Sequence, residues 1–206
     1  MTANQVWKAD LFARFGLLII KDFLSAESCA RIRAEVRGST STPSTVELRG
    51  VSLVDESIRR AAHSLISKST VSYVEKRLLA IRPDLERHFN VELRECEQPC
   101  IARYGVGSFF RPHADSGVTA ESPQRVRDRK VSVVIFLNEA TEEVGPDCYG
   151  GGALTFYGLV DDPVWRPMGF PLIGETGLLV AFRAATIHEV APVTHGERYT
   201  IVSRYS

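Results

Sequence analysis

After Asn90 the chain is a succession of eight short runs rich in β-branched and aromatic residues, set apart by turns: Val91–Cys96, Cys100–Tyr104, Phe109–Asp115, Lys130–Leu137, Ala153–Tyr157, Leu178–Phe182, His188–Val193 and Arg198–Arg204. That many candidate strands in about 115 residues fit a barrel or a two-sheet sandwich. Upstream, Leu17–Ile20 reads as a short strand, and Ser25 can cap a helix that runs to Arg37 and stops at Gly38. Residues 38–50 cluster Ser and Thr around Pro43 and predict a loop within the domain. Asp55 caps a predicted helix through Ser67. A second helix opens at Thr70, with Val71, Val74, Leu78, Leu79 and Ile81 spaced to bury one face; Pro83 breaks it before it resumes through Phe89. Helices with one apolar face need a surface to cover, and the outer face of a sheet offers one. The expected fold is α+β in a single domain over 1–206, with residues 1–90 as mostly helical support packed on one sheet and 91–206 as a β-barrel core.

Composition narrows the function classes. A length of 206 residues suits one domain, and 44% hydrophobic with 24% charged residues allows a packed core rather than disorder. Lys plus Arg and Asp plus Glu are 25 each, so no net field draws the chain to nucleic acid or to an anionic membrane. Phe15–Ile20 and Gly177–Phe182, apolar runs of six residues each, are far short of the ~18 that span a bilayer. Met1–Asp10 has no basic stretch followed by an apolar one, which argues against secretion and for a cytoplasmic address. Cys29, Cys96, Cys100 and Cys148 form no Cys-x-x-Cys pair and are expected as free thiols; Cys96 with Cys100 is a weak metal signal on its own.

Position sorts the five histidines. His63 and His88 fall in predicted helices, and His195 in a predicted turn over Thr194–Glu197. His113 and His188 fall at the ends of β runs. In Arg111-Pro-His-Ala-Asp115 an extended backbone sends His113 and Asp115 out of the same face. A second imidazole from a neighbouring strand would complete the two-histidine, one-carboxylate triad that binds non-haem iron(II) and keeps positions open, and His188 is the candidate. A lone His-x-Asp is weak evidence, since such tripeptides commonly make surface salt bridges. Arg198 adds to it. If His188–Val193 and Arg198–Arg204 pair across the Thr194–Glu197 turn, Arg198 shares the barrel interior with His188. A guanidinium there needs an anion, either a cosubstrate carboxylate or, structurally, Glu189 or Glu197.

Several blocks then occur in one order: Arg103-Tyr104, Phe109-Phe110-Arg-Pro-His113-Ala-Asp115, Val131–Asn138, Gly151–Phe156, His188–Val193 and Gly196-Glu-Arg198. In this the chain resembles the catalytic domain of the prolyl-4-hydroxylase-type iron(II)/2-oxoglutarate-dependent oxygenases over about residues 95–206, with Leu17–Val36 similar to the strand and helix that precede it in that family. The resemblance implies a double-stranded β-helix, His113, Asp115 and His188 as iron ligands, and Arg198 holding the far carboxylate of 2-oxoglutarate. It also implies Tyr104 as a hydrogen-bond donor to that cosubstrate and Val190 as a wall of its pocket. Phe136 stands where oxygen-sensing animal relatives carry a tyrosine, which leaves Tyr104, Ser132 or Thr200 to supply the missing hydrogen bond.

The resemblance further implies dioxygen as oxidant, release of succinate and CO2, and hydroxylation rather than halogenation, because Asp115 fills the position a halide would need. Ascorbate as a reductant is a family expectation that these residues do not display. The implied substrate is a peptidyl residue such as proline; a free amino acid or small metabolite is the alternative. The basic segment Glu121–Lys130 could grip an acidic partner or be a solvated hairpin, and Trp165 within Asp161–Pro171 could belong to a lid or pack on the barrel. No nucleic-acid or membrane partner is expected. Two readings of another class are a zinc hydrolase using His113, Asp115 and His188, which leaves Arg198 without a purpose, and a non-catalytic metal-binding module.

Overall fold

The computed structural model describes residues 12–48, 50–117 and 121–206; Met1–Asp10, scanned above for a leader, and Arg49 of the predicted loop lie outside them. Two antiparallel sheets enclose a common interior. The larger pairs, in order, β1 (Leu17–Ile20), β14 (Leu179–Arg183), β9 (Val131–Phe136), β17 (Arg198–Tyr205), β7 (Cys100–Tyr104), β6 (Ala62–Ser64) and β2 (Ser41–Pro43). The smaller pairs β13 (Phe170–Leu172), β12 (Leu154–Phe156), β15 (His188–Val190), β8 (Phe109–His113) and β5 (Arg59–Arg60). A small sheet of β10 (Glu139–Ala140), β11 (Cys148–Gly151) and β16 (Val193–Gly196), and a hairpin of β3 (Val46–Leu48) with β4 (Val51–Leu53), complete the strands.

Helices cover one face of the larger sheet, as expected. α1 (Ala26–Arg37) starts at Ser25, whose Oγ accepts from the Ser28 N–H at 3.2 Å, and ends at Gly38. α2 (Lys68–Phe89) starts at Ser67 and ends at Asn90, a left-handed residue with φ 50°. Cys29, Ile32 and Val36 of α1 and Val74, Leu78, Leu85 and Phe89 of α2 pack on Val131, Val133 and Ile135 of β9 and on Tyr199, Ile201 and Tyr205 of β17. The residues between them, Val134 and Phe136 on β9 and Val202 on β17, face the other way and meet Leu154, Phe156 and Val190 of the smaller sheet. This period of two divides the molecule into a helix-backed core and an inter-sheet interior.

Several local expectations are corrected. Residues 55–67 form no helix: Asp55 Oδ1 accepts from the Ser57 N–H at 2.9 Å and tightens a turn, after which the chain adds β5 to β8 and β6 to β7. Open sheet edges offered these short segments more hydrogen bonds than a helix of mixed polarity could bury surface. His63 accordingly lies on β6 and not on a helix. The predicted loop 38–50 contains β2 and β3, whereas Val91–Cys96 is irregular apart from one bridge of Cys96 to Tyr205. Pro83 sits inside an unbroken α2, on its exposed side, where water can satisfy the carbonyl its missing N–H leaves free. His195 belongs to β16, half-buried rather than in an exposed turn. Leu79, expected in the buried face of α2, is 50% exposed. No helix among the described residues is long and apolar enough to cross a membrane, and all four cysteines are free.

Neighbouring leucines on α2 thus have opposite environments, Leu78 at 0% and Leu79 at 50% exposure. Leu78→Ala is expected to cost ~2–5 kcal/mol of unfolding free energy in a denaturant titration. Leu79→Ala should lie within ~1 kcal/mol of the parent chain; equal losses would contradict this packing of α2.

Candidate metal centre

β8 and β15 are neighbours in the smaller sheet, in a register that sets His113 opposite His188. Directly opposed residues bring their side chains together, and the imidazole centroids are 4.3 Å apart. Just past β8 the chain leaves the ladder, and the backbone N–H groups of Asp115 and Ser116 donate to the Ala184 carbonyl at 2.9 and 3.0 Å. The Asp115 carboxylate is thereby held beside the histidines, with Oδ2 3.9 Å from His188 Nε2. One potential ligand atom from each of His113, Asp115 and His188 lies within 4.8 Å of the others, and no other such cluster of His, Cys, Asp or Glu occurs among the described residues.

Each imidazole is fixed through its second nitrogen. His113 Nδ1 is 2.8 Å from the Arg111 carbonyl, and His188 Nδ1 is 3.0 Å from that of Thr186. A carbonyl only accepts, so in these bonds each Nδ1 carries the proton and each Nε2 keeps a free lone pair. The His113 ring stacks on Phe110 at 3.5 Å and 18°, while the His188 ring meets the Phe182 ring at 4.7 Å. Asp115 Oδ1 accepts from Arg204 Nη2 at 2.8 Å, leaving Oδ2 toward the histidines.

The electrostatics suit a dication. Burial, reinforced by the charge of His188, pushes the His113 pKa down to about 3. Burial also depresses that of His188 against the pull of Asp115. Burial alone would raise Asp115, but the Arg204 guanidinium and the two imidazoles outweigh it and hold the carboxyl far below its usual range. At neutral pH the cluster is two neutral imidazoles and one carboxylate, the nitrogen and oxygen donor set that suits iron(II).

Across the cleft stands the larger sheet. His188–Val193 and Arg198–Arg204 are not the paired neighbours expected from sequence: β15 lies between β12 and β8, and β17 between β7 and β9. The residues between them do not make a hairpin turn, because Val193–Gly196 is itself β16 and pairs with β11, carrying the chain from one sheet to the other. Arg198 still shares the cleft with the three candidate ligands, as do Tyr104, Val190 and Thr200. Ser132 does not line it; its Oγ is buried without a hydrogen-bond partner.

Arg198 is 1% exposed, and its guanidinium lies between the rings of Tyr104 and Phe136, 5.1 Å from each centroid. Nη1 donates to Thr200 Oγ1 at 3.3 Å, whereas Nε and Nη2 are buried with no partner. Its nearest sequence candidates are engaged elsewhere: Glu197 accepts from Arg103 Nε at 2.9 Å, and Glu189 accepts from the Tyr157 hydroxyl at 2.6 Å. Tyr149, which sequence reasoning passed over in a glycine-rich turn, brings a second unpartnered buried group: its hydroxyl, whose pKa is raised by burial against the opposing charge of nearby Arg198. Gly152 makes the room. With φ +58°, any Cβ there would lie 3.0 Å from Arg198 Cδ and 3.2 Å from the Tyr149 ring.

Arg204 and Arg59 line the same cleft and were also not anticipated. For Arg204 a signal existed, because six residues from Arg198 along a strand put it on the same face. For Arg59 none did, since its segment was expected to be helical. The basic segment 121–130 forms a short helix, α3 (Gln124–Arg127), rather than a hairpin, and its cations are spent within the protein. Arg125 pairs with Glu47 at 3.2 Å, Arg129 is bidentate to Glu97 at 2.6 and 2.9 Å, and Lys130 Nζ donates to the Glu92 carbonyl. Trp165 is 57% exposed and does not pack into the barrel.

The chain is similar to known proteins over this same region. It is 32% identical over 104 residues to a PKHD-type hydroxylase of Methylobacterium nodulans, and 36% identical over 103 residues to one of a Polaromonas species. These alignments cover 50% and 48% of the chain, and the chain spans about 40% of the length of the curated relatives it matches. A prolyl-4-hydroxylase of Pseudomonas putida superposes with a TM-score of 0.66 at 22% identity, covering 96% of this chain and 95% of that one. A prolyl hydroxylase from Trichoplax adhaerens, solved with a hypoxia-inducible-factor peptide, gives 0.63 at 21% identity, covering 100% and 93%. These two establish the double-stranded β-helix fold. The profile of the 2OG-Fe(II) oxygenase superfamily matches residues 99–205, the stretch that holds His113, Asp115, His188 and Arg198. The chain belongs to the 2OG-Fe(II) oxygenase superfamily.

Proposed function

We propose that this chain is an iron(II)- and 2-oxoglutarate-dependent dioxygenase that hydroxylates an unactivated C–H bond, with a peptidyl residue such as proline as substrate and succinate and CO2 as co-products. The observation that carries the reading is the pairing, in one cleft, of a His113–Asp115–His188 cluster with a buried Arg198 that no carboxylate of the described residues neutralises. An unpaired buried guanidinium is strongly unfavourable, and a dicarboxylate cosubstrate with one end on the metal and the other on Arg198 removes the penalty. A zinc hydrolase would leave that charge unexplained.

The residues present fit both absent groups. His113 and His188 would bind iron(II) through Nε2, and Asp115 through Oδ2. Arg198 would receive the far carboxylate on Nε and Nη2, with the hydroxyl of Thr200 beside it. Tyr149, unpartnered and next to Arg198, would offer the hydroxyl that Phe136 lacks. Together, bound iron(II) and 2-oxoglutarate supply the oxidising chemistry, in which dioxygen is reduced as the oxo acid is decarboxylated and one oxygen atom enters the substrate. The protein's own work is to hold the donors: carbonyls fix both imidazole tautomers, Arg204 keeps Asp115 ionised, and apolar Val134, Leu154, Val190 and Val202 limit water in the cleft. The cleft among these side chains is narrow.

Purified protein given iron(II), 2-oxoglutarate and oxygen should form succinate, with and without ascorbate, and one member of a panel of proline peptides and free amino acids should stimulate it. Absence of both succinate and 2-oxoglutarate binding would defeat the proposal. His113→Ala and Asp115→Ala should abolish iron-dependent turnover and weaken calorimetric cobalt(II) binding without unfolding the chain. Arg198→Ala should raise the 2-oxoglutarate requirement about ten- to a hundredfold, the loss of a charge-assisted bidentate contact of roughly 1.5–3 kcal/mol. Tyr149→Phe should raise it less; an unchanged requirement in both would reassign these residues to structure.

The depressed pKa values also fix a sign for stability. Below ~6.5 the unfolded chain protonates its histidines, while folded His113, with its pKa near 3, stays neutral and folded His188, its pKa depressed by burial, takes up its proton less readily. Below ~4 the unfolded chain also protonates an aspartate that folded Asp115 keeps ionised. The unfolded state binds more protons in both cases, so stability is lost as pH falls. His63, raised by the Cys100 thiol, works in the opposite direction. The metal-free protein should melt at lower temperature at pH 5.5 than at pH 7.5, and His188→Asn should flatten that dependence; an equal slope in the variant would mean the cluster is not the source.

A further inference from the structure

Resting on the oxygenase reading above, we propose that Arg59 binds a carboxylate of the substrate, so that this cleft selects acidic substrates over their uncharged counterparts. Arg59 stands where two cavities meet. It lines the cleft of His113 and Asp115, and it also lines an outer groove of ≈ 340 Å³. A groove of that size suits a small molecule or a few residues of peptide.

The sheet, not a loop, places this side chain: Arg59 pairs with Phe110 in the β5–β8 ladder. Its guanidinium lies 4.6 Å from the centroid of the Phe110 ring, the ring that stacks on His113. Its donors are only partly used. Nη1 reaches the Thr45 carbonyl at 3.1 Å, Nε is buried with no partner, and no carboxylate among the described residues pairs with it. The other cations of the groove are opposed by acids: Arg60 lies 3.7 Å from Glu56, and Arg103 is paired with Glu197. Asp115, the acid of the inner cleft, is engaged by Arg204. Arg59 is therefore a half-buried cation with unspent, forked donors beside the candidate metal ligands, an arrangement that matches a carboxylate in charge and geometry. Arg198 and the metal would between them use both carboxylates of 2-oxoglutarate, so the anion for Arg59 has to arrive with the substrate.

Either an acidic side chain in a peptide or the α-carboxylate of a free amino acid has this chemistry, and matched pairs separate them. The full chain is loaded with iron(II) and 2-oxoglutarate without oxygen, and calorimetry measures binding of a proline peptide carrying Glu against its Gln counterpart, and of free proline against prolinamide. The acidic member of one pair should bind about tenfold more tightly or better, and that pair identifies the source. Arg59→Gln should bring the two members together, and Arg59→Lys should restore part of the difference. Equal affinities within both pairs, a preference that survives in Arg59→Gln, or no binding of either acidic member would overturn the proposal. Admitting oxygen tests the underlying reading apart from it: a carboxylate preference without succinate keeps Arg59 as an anion site and rejects the oxygenase, and succinate without a preference does the reverse.

Discussion

The two-residue alternation along β17 is the constraint on which the rest depends. Tyr199, Ile201 and Tyr205 turn toward the helices, while Thr200, Val202, Arg198 and Arg204 turn into the cleft. A slip of one residue would send two guanidiniums into the helix-backed core and bring the tyrosines and Ile201 into the site. Three contacts hold the register. Ile201 is paired with Ile101 on one side and Ile135 on the other. At the far end of the strand the Tyr205 hydroxyl donates to the Leu78 carbonyl at 2.9 Å. At the start, buried Asn138 brackets Arg198, its Nδ2 donating to the Glu197 carbonyl at 2.7 Å and its Oδ1 accepting from the Tyr199 N–H at 3.0 Å. The position of the candidate cosubstrate anchor is thus set by an amide in the bend between β9 and β10.

Charge explains why so many arginines can be tolerated around one small space. Arg59, Arg198 and Arg204 face a single carboxylate, Asp115, among the lining residues. Among the described residues only Arg204 of the three pairs with a carboxylate, and in return it holds Asp115 ionised. The other two have no carboxylate partner among the described residues and keep buried donors unspent. Buried charges are retained where something compensates them, and anions from outside are the compensation proposed here. The rings of Tyr104, Phe136 and Phe110 cover the guanidiniums meanwhile, which lowers the cost of leaving them without counter-ions.

What was legible in the sequence divides along local and non-local lines. His113 and Asp115 could be read together because two residues in an extended segment share a face, and ordered motifs tied His188 and Arg198 to them. The central strands β9 and β14 of the larger sheet were legible because nearly every residue of each is buried on both faces and apolar. The two- and three-residue strands β5 and β6 were not, since so short a segment has no period and takes its form from the strand it joins. Missing β5 hid Arg59. Tyr149 was hidden differently: its importance lies in what it faces, Arg198, a residue 49 positions away that reaches it only when β11 and β16 pair. Even the correct placement of Arg198 in the cleft rested on a hairpin that does not exist; the inward face survived because the period of two holds in either sheet.

The two walls of the cleft are not equally supported. The wall carrying Arg198 belongs to a sheet backed by α1 and α2, and every residue of β9 is buried. The wall carrying His113 ends in β8 and the two-residue β5, where Arg111 and Pro112 are exposed. Segments with few buried contacts open at lower free energy than those in a packed core. Rearrangement of the cleft is therefore easier on the β5–β8 side, where Arg59 and Phe110 stand, than at β17. The same asymmetry leaves Arg198 on the firmer wall and Arg59 on the looser one.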